Sequence, residues 1–537
     1  MAEAWDAEAD VVVVGFGVAG ACAAIEAAQH GADVLALDRF AGGGASVLSG
    51  GVVYAGGGTW VQRAAGVRDS TQAMYDYLRL EAGDAVAPET LRRFCEQSPA
   101  MIDWLAGNGV PFEASVCDYK TSYPSNRHYL YYSGSESAGG FRDAAPPAPR
   151  GHRARGRGTS GKMLFGPLAD TAHAHGVRVR TQTSVARLVT DAAGGVTGVE
   201  CASLTAAPAA VRWQHALLAR YAAKPGLYVP TLHKRLQRAV LRLERKYARP
   251  VRIGARRGVV VAAGGFVANR ELMREHAPEY RAGLPLGTAG DDGSGLRLGT
   301  GVGAATTKLG NVSAWRFISP PSALLGALAV DAAGARIIDE SRYGAALGHA
   351  MVTKHRGKGW LLVDSRLIAE ARAQLRTQTV WFQRLQTEYL LRYGCTSGAT
   401  VEAAAAVAGI DPAGVRATLD AYNGAAREGR PDPVGKPPEF VRPLDQPPYS
   451  LLDISIKPSL AYPCPMLTLG GLVVDEQTGA VRDSEGRPIA GLYAAGRTAA
   501  GLCSNSYVSG LSLADCVFSG RRAGTHASAV TEAMTEG

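Results

Sequence analysis

The sequence lacks the features of membrane-spanning, exported and metal-binding proteins. It has no run of about 18 or more apolar residues, so we expect no transmembrane helix. Its first ten residues, MAEAWDAEAD, have neither the basic nor the apolar region of a secretory signal. Eight cysteines are scattered over 537 residues without a C-x-x-C pair, which favours reduced thiols over disulfides or a metal site. We therefore expect a cytoplasmic protein that binds no metal.

Acidic residues are almost missing from one segment, and this segment explains the net charge of +9. Between Thr205 and Arg257 there are ten Arg and three Lys but one acid, Glu244, which gives +12 there and about −3 elsewhere. The basic character is therefore local, and no nucleic-acid-binding motif accompanies it. We expect no nucleic-acid partner.

The same segment contains two amphipathic helical patterns, which predict a basic helical insertion over about residues 205–250. The first pattern places four apolar residues on one face: Trp213, Leu217, Leu218 and Tyr221. The second has an apolar stripe flanked by Lys and Arg: Leu232, Leu236, Val240, Leu243 and Tyr247. Pro225 and Pro230 mark a turn between them, so we expect a helical hairpin. It would contact the anionic inner face of the cell membrane, or else pack on this protein or on a second copy.

The beginning of the sequence has the pattern of a dinucleotide-binding β–α–β unit. Residues 11–14, VVVV, predict a buried strand, and the turn GFGVAG over residues 15–20 leads into an alanine-rich helix from Ala21 to His30. A second strand, residues 34–37, ends at Asp38. An acid 23 residues after the first glycine of G-x-G-x-x-G is typical of a site that binds a dinucleotide.

Each residue of this motif has a physical role in holding the ligand. Gly15 permits the tight turn, Gly17 lets the backbone approach a pyrophosphate, and Gly20 lets the helix pack closely on the strand. Asp38 accepts hydrogen bonds from ribose hydroxyls, and the N-terminus of the helix binds the diphosphate.

Three distant glycine-rich segments favour FAD over NAD. They are residues 42–51 (GGGASVLSGG), 261–266 (VAAGGF) and 491–496 (GLYAAG), the last followed by a helix near Ser512. Segments so far apart fit an extended ligand that crosses a domain, and a helix N-terminus would stabilise reduced flavin. The expected cofactor contacts are Gly15, Gly17, Val18, Ala19, Gly20, Asp38, Arg39, Ser46, Ser49, Gly50, Gly51, Val185, Ala263, Gly264, Asp292, Gly496, Arg497, Ser512 and Leu513.

The order of these segments predicts an α/β fold in which both ends of the chain build one domain. We expect a Rossmann-like FAD-binding domain from residues 1–284 and 457–537. An inserted α+β catalytic or capping domain would occupy residues 285–456.

With these segments in place, the chain resembles the flavoproteins that join fumarate reductases to 3-ketosteroid dehydrogenases, except over about residues 205–250. The glycine-rich segment of residues 42–51, which we call the cradle, has no histidine where covalently flavinylated members attach FAD. This implies that FAD is bound non-covalently. Fumarate reductases resemble H-G-x-N-R-L-G-G-N near the C-terminus, and their arginine binds the dicarboxylate. Residues 503–511 read CSNSYVSGL, with Tyr507 in place of that arginine and Cys503 in place of the histidine. A phenol there suits a neutral keto substrate, because bidentate carboxylate recognition is lost.

Within this group the chain is most similar to the 3-keto-5α-steroid Δ4-dehydrogenases. The similarity lies in the Tyr-x-Ser-Gly pattern and in residues 520–524 (GRRAG), 130–134 (LYYSG), 149–152 (PRGH) and 340–344 (ESRYG). It implies that a 3-ketosteroid is dehydrogenated at C4–C5, with a hydride leaving C5 for flavin N5 and a proton leaving C4. The implied catalytic residues are Tyr343, Tyr507 and Ser509. The implied substrate-binding residues are Tyr343, Tyr507, Gly510 and Tyr131.

The residues leave other functions open. Hydroxyl groups that are coupled in a chain can move a proton out of an apolar pocket, where an ionised carboxylate would be costly. The sequence does not show which of these hydroxyl groups contacts C4. A 3-ketosteroid Δ1-dehydrogenase and a fumarate-type ene-reductase are the alternative enzymes. A carboxylate substrate would need Arg342 or Arg497. A non-catalytic flavoprotein or membrane-binding module is the remaining hypothesis, and no motif identifies the electron acceptor.

Overall fold

The computed structural model describes residues 4–223 and 229–529. The elements of the first half are, in chain order, β1 (Ala7–Val14), α1 (Val18–Gln29), β2 (Val34–Leu37), α2 (Gly44–Leu48), β3 (Val52–Tyr54), α3 (Trp60–Ala64), α4 (Thr71–Ala82), α5 (Pro88–Gly107), β4 (Leu130–Tyr131), α6 (Gly139–Ala144), β5 (Gly151–Arg153), α7 (Gly161–Ala174), β6 (Arg178–Arg180), β7 (Thr183–Thr190), β8 (Val196–Ser203), α8 (Ala209–Ala223), α9 (Pro230–Tyr247), β9 (Arg249–Val261) and α10 (Arg270–His276).

The remaining elements continue to the last helix. They are β10 (Leu284–Pro285), α11 (Ser294–Thr300), β11 (Thr306–Thr307), β12 (Val312–Ala314), β13 (Leu328–Val330), α12 (Gly344–His355), β14 (Trp360–Val363), α13 (Ser365–Gln378), α14 (Trp381–Tyr393), β15 (Cys395–Gly398), α15 (Val401–Ala408), α16 (Pro412–Arg427), β16 (Tyr449–Asp453), β17 (Pro465–Thr468), β18 (Gly471–Leu472), β19 (Ala480–Arg482), β20 (Pro488–Ala494) and α17 (Leu511–Ser528).

A mostly parallel sheet forms the centre of the nucleotide-binding part. Its order is β19-β20-β9-β1-β2-β6, in which the strands from β20 to β6 are parallel to one another and β19 is antiparallel to β20. The valines of β1 are fully buried because both faces of the sheet are covered. Small residues in α1 let it pack tightly, and all its residues from Val18 to Ala27 are buried. The prediction of an α/β, Rossmann-like FAD-binding fold is confirmed.

Both ends of the chain contribute to this sheet. Strand β20, close to the C-terminus, pairs in parallel with β9, where Leu492 lies opposite Val259 and Ala494 opposite Val261. The carboxyl ends of β1, β2, β9 and β20 therefore meet at one edge of the sheet, the edge at which ligands bind in open parallel sheets.

The middle of the chain has an α+β arrangement. Strands β13, β14, β16 and β15 form an antiparallel sheet in that order, accompanied by helices α12 to α16. Strand β17 pairs with β10 and with β12, and so joins the C-terminal region to this middle part. The domain boundaries at residues 284/285 and 456/457 remain a prediction.

The basic insertion forms two helices, α8 and α9, that pack against each other. The turn predicted between Pro225 and Pro230 falls on residues 224–228, which lie outside the described residues. Most of the apolar stripe of α9 is covered, because Val240 is buried and Leu236 and Leu243 are half-buried. Packing on the protein itself therefore accounts for much of the stripe. Within the described ranges, no helix is both long enough and apolar enough to cross a membrane.

Candidate active site

The turn after β1 has the geometry that a dinucleotide requires. Gly15 has φ = +95°, and a Cβ there would lie 2.5 Å from the carbonyl oxygen of Ala262. At Gly20 a Cβ would lie 1.9 Å from the carbonyl oxygen of Gly15, so this glycine sets the close packing of helix on turn. Gly17 is the N-cap of α1 and offers no side chain, which leaves room beside the first turn of the helix.

Asp38 is positioned by the backbone around it. Its carboxylate accepts hydrogen bonds from the N–H groups of Phe16 (3.0 Å), Phe40 (2.8 Å) and Gly42 (3.2 Å). Each carboxylate oxygen can accept more than one hydrogen bond, so Asp38 can still bind ribose hydroxyls. Asp38 therefore ties the turn of β1 to the glycine cradle that follows β2.

The cradle opens into one elongated cavity of about 1730 Å³. Most of the expected cofactor residues line it: Gly15, Gly17, Val18, Ala19, Asp38, Arg39, Ser46, Ser49, Gly50, Val185, Ala263, Gly264, Asp292, Gly496, Arg497, Ser512 and Leu513. The cavity crosses the nucleotide domain from Asp38 to the helix N-terminus of α17, as an extended dinucleotide requires.

Three of the expected contact residues do not line this cavity, and their direct contact with a ligand stays a prediction. Gly20 acts through packing, as its contact with Gly15 shows. A Cβ on Gly51 would lie 2.6 Å from the backbone of Ser160, so this glycine also serves a close backbone approach. Tyr131 is fully buried and does not line the cavity, but its hydroxyl is hydrogen-bonded to Ser509, which does.

Three ion pairs lie on the far side of the cradle. Arg497 Nη2 lies 2.5 Å from Asp291 Oδ1, and Asp291 also accepts a hydrogen bond from the Thr288 N–H (2.8 Å). Arg39 pairs with Asp292 (3.1 Å) and with Glu244 of the insertion (2.9 Å). The expected cofactor contacts include Asp292 but not Asp291, because an Asp-Asp-Gly turn alone does not show which carboxylate forms an ion pair within the fold.

The three expected catalytic hydroxyls meet at the inner end of the same cavity. Tyr343 is the N-cap residue of α12, and the loop before α17 carries Tyr507 and Ser509. All three residues line the cavity, and the rings of Tyr343 and Tyr507 have centroids 6.2 Å apart. Residues more than 160 positions apart in the sequence therefore share one wall.

An aromatic wall holds the two phenols in place. Trp315 stacks on Tyr507 with centroids 5.0 Å apart and an interplanar angle of 22°, and Phe317 contacts Tyr343 at 5.4 Å. Both aromatic residues line the cavity. Sequence reasoning missed them, since isolated aromatic residues after a short strand carry no signal of their own.

Tyr131 reaches the site through Ser509. Its hydroxyl lies 3.0 Å from Ser509 Oγ, and both groups are buried. The Ser509 N–H donates to the carbonyl oxygen of Ser133 (3.2 Å), which ties the loop to the segment carrying Tyr131. Ser509 also lowers the pKa of Tyr343, against the larger rise that burial causes.

The phenols of this cluster stay protonated at neutral pH. Burial raises the pKa of Tyr343 well above its ordinary value, and the neighbouring Tyr507 and Tyr131 raise it further. Burial also raises the pKa of Tyr507, against a smaller lowering by the Gly510 backbone. The cluster can therefore donate hydrogen bonds and pass protons along, but it supplies no standing negative charge.

Of the two arginines considered for a carboxylate substrate, Arg497 lines the cavity and Arg342 does not. Arg497 pairs with Asp291, and the Arg342 guanidinium lies 5.0 Å from the ring centre of Phe141, away from the cavity lining. Cys503 is buried, and burial raises the pKa of its thiol well above the ordinary value. Arg342 and Cys503 therefore lie outside the lining that the hydroxyl cluster shares with Arg497.

Exposed apolar residues line the open part of the cavity. Trp381 and Leu385 on α14 are 71% and 63% exposed, and Leu460 is 60% exposed. All three border the same cavity as the hydroxyl cluster. A mouth of this kind suits a rigid apolar substrate better than a small, charged one.

A parallel-sheet nucleotide domain, a glycine cradle and an apolar pocket lined by hydroxyl groups are features of FAD-dependent oxidoreductases. Residues 10–511 match the family model described as FAD binding domain. The chain therefore belongs to this FAD-binding family, and the prediction of FAD as cofactor is confirmed.

Several proteins are similar to this chain over most of its length. It is 40% identical over 502 residues to the 3-oxo-5-alpha-steroid 4-dehydrogenase of Comamonas testosteroni, covering 92% of this chain and 93% of the relative. The 3-ketosteroid-Δ4-(5α)-dehydrogenase of Rhodococcus jostii RHA1, solved with 4-androstene-3,17-dione, superposes with a TM-score of 0.82 at 31% identity, covering 99% of each chain. The 3-ketosteroid Δ1-dehydrogenase of Sterolibacterium denitrificans shares the fold, with a TM-score of 0.66 at 19% identity, covering 97% of this chain and 99% of that one.

Proposed function

We propose that the protein is an FAD-dependent 3-ketosteroid Δ4-dehydrogenase, which introduces a C4–C5 double bond into a 3-keto-5α-steroid. The observation that carries the proposal is the buried set of Tyr343, Tyr507 and Ser509 at the inner end of the FAD cavity. The names of the relatives from Comamonas testosteroni and Rhodococcus jostii support the same substrate class.

The ketone is the group that these residues must polarise. A hydrogen bond to its oxygen acidifies the C4 proton, because negative charge develops on the oxygen as that proton leaves. The Tyr507 hydroxyl is our candidate donor, with the Gly510 N–H beside it at the N-cap of α17. The stacked Trp315 holds the phenol ring in position without competing for the oxygen.

Ser509 is our candidate for the group that receives the C4 proton. Its hydroxyl is hydrogen-bonded to that of Tyr131, and hydroxyl groups coupled in this way can pass the proton out of the pocket to solvent while each stays neutral overall. FAD, when bound, supplies the hydride acceptor at N5. The protein residues thus orient the ketone, remove the proton and keep water away from the reacting carbons.

The proposal can be tested by following bound FAD without oxygen. We expect 5α-androstane-3,17-dione to bleach the flavin absorbance of the purified protein, and fumarate or succinate to leave it unchanged. Bleaching by succinate together with no response to 3-ketosteroids would favour the fumarate-type alternative. A Δ1-dehydrogenase would bleach with the steroid but form a different product, so the product must be identified as well.

We also propose that the insertion contacts an anionic membrane surface at the inner face of the cell membrane. The six cations of α9 are all exposed: Lys234, Arg235, Arg238, Arg242, Arg245 and Lys246. Each basic residue near such a surface contributes on the order of 1 kcal/mol of attraction, and a steroid substrate partitions into lipid. We expect the protein to co-sediment with vesicles rich in anionic lipid and to be released by salt. Co-sedimentation unchanged after Lys or Arg to Glu replacements in α9 would refute this contact.

A further inference from the structure

The basic insertion is attached to the FAD cradle through its one acidic residue. Glu244 on α9 accepts hydrogen bonds from Arg39 Nε (3.0 Å) and Nη2 (2.9 Å), and Arg39 directly follows the ribose-binding Asp38. Burial opposes ionisation of Glu244, but hydrogen bonds from His215 and Arg39 lower its pKa. The charge pair therefore persists at neutral pH and holds α9 against the end of β2.

Helix α8 is anchored at the same place through a buried histidine. His215 Nε2 lies 3.2 Å from Glu244 Oε1, and His215 Nδ1 lies 3.1 Å from the amide of Gln182. The imidazole also stacks on Phe40, with ring centres 6.2 Å apart and an interplanar angle of 18°. Both helices of the hairpin are thus fixed to residues that follow Asp38 or precede Val185.

These anchors place one face of α8 over the cavity. Trp213, Leu217 and Arg220 line the cavity together with Asp38 and Val185, although Trp213 is 67% exposed. Asp38 marks where the adenosine ribose binds, because an acid at the end of the second strand performs that role in this motif. The indole of Trp213 is held in place by a packed helix, but it is largely exposed. It borders the part of the cavity in which the adenine ring would bind.

We propose that the α8–α9 hairpin clamps the adenosine half of FAD, with Trp213 and Leu217 covering the adenine ring and Arg220 adding positive charge beside the phosphates. Stacking of an aromatic ring on the flat adenine buries apolar surface of both groups. The binding free energy becomes more favourable as more apolar surface is buried. The clamp is a retention device, and it is separate from the residues proposed for steroid dehydrogenation.

The test measures FAD affinity instead of turnover. Apoprotein carrying Trp213→Ala or Glu244→Gln is titrated calorimetrically with FAD and with FMN, which lacks the adenosine half. We expect the dissociation constant for FAD to rise at least tenfold in each variant. We expect FMN to bind each variant no differently from the unmodified protein, since FMN does not reach the clamp.

A matched control separates the clamp from a general effect of removing an exposed tryptophan. Trp381 also lines the cavity and is 71% exposed, but it lies on α14. Trp381→Ala is expected to leave the FAD dissociation constant unchanged. FAD affinity within twofold of normal in Trp213→Ala and Glu244→Gln would overturn the proposal. A loss of FAD affinity equal in Trp381→Ala, or matched by an equal loss for FMN, would overturn it as well.

Discussion

Replacing Tyr507 by phenylalanine isolates the contribution of one hydroxyl group to catalysis. The ring stacks on Trp315 at 5.0 Å and lines the cavity, so the phenylalanine ring can keep this packing and the pocket its shape. Polarisation and proton transfer by a positioned side chain contribute roughly 10²- to 10⁴-fold to a rate. This range corresponds to about 3–5 kcal/mol of transition-state stabilisation. We therefore expect a fall of at least 100-fold in the rate of FAD reduction by a 3-keto-5α-steroid, with FAD still bound.

Stopped-flow absorbance under single-turnover conditions measures this step directly. Tyr389→Phe is the matched control, because Tyr389 lines the same cavity from α14, outside the hydroxyl cluster. It is expected to change the rate less than threefold. The double variant Tyr343→Phe/Tyr507→Phe should lose less than the sum of the two single losses, since groups in one relay act as a unit. A Tyr507→Phe rate within threefold of normal would refute the assignment of this hydroxyl.

Three other variants probe the cradle, a buried carboxyl and the relay. Gly17→Val is expected to fold but to lose yellow colour, because a Cβ there meets no protein atom closer than 3.5 Å, whereas Gly20→Ala, with a contact of 1.9 Å, is expected to yield little folded protein. Burial raises the pKa of Asp515 from 3.8 to about 6. The free energy of unfolding therefore falls as the pH rises through the folded-state pKa. Asp515→Asn should therefore stabilise the protein at pH 8, by up to about 3 kcal/mol in denaturant titrations, with no gain at pH 3.5. Tyr131→Phe should slow FAD reduction about tenfold without changing steroid affinity, because it removes one hydrogen bond from Ser509; an unchanged rate would exclude Tyr131 from the relay.

The sequence predicts the nucleotide domain well because its signals are local. The strand VVVV, the glycine turn and the second strand lie within about 30 residues, and their spacing reflects one close packing of helix on sheet. Helix α1 nevertheless begins at Val18 and not at Ala21, because Gly17 rather than a polar side chain is its N-cap. Strand β9 begins at Arg249, well before the glycine-rich segment of residues 261–266, and its basic first half pairs with β8.

The catalytic wall shows where local patterns stop being informative. Tyr343 and Tyr507 could be named only through resemblance, because their meeting depends on the packing of α12 against the loop before α17. Trp315 and Phe317 shape the same wall but follow a short strand that has no distinctive pattern. Nor does the sequence tell that Tyr131 lies one layer behind Ser509, since alternation along a two-residue strand does not fix depth.

The attachment of the insertion is a second case. The amphipathic patterns correctly predict two helices, but they leave open whether Leu236, Val240 and Leu243 contact a membrane, this protein or a second copy. The structure uses most of that stripe for packing within the protein, and one acid, Glu244, connects the hairpin to Arg39. One acidic residue among many basic ones forms no sequence pattern that would predict an ion pair between Glu244 and the distant Arg39.

The position of the double bond in the product tests the central claim most directly. Purified protein is incubated with 5α-androstane-3,17-dione and an artificial electron acceptor, and the product is identified by NMR. We predict 4-androstene-3,17-dione, formed only when FAD is bound and with loss of deuterium from a substrate labelled at C5. A product with a C1–C2 double bond that retains the C5 label would contradict the account, and so would the absence of any unsaturated product from FAD-loaded protein.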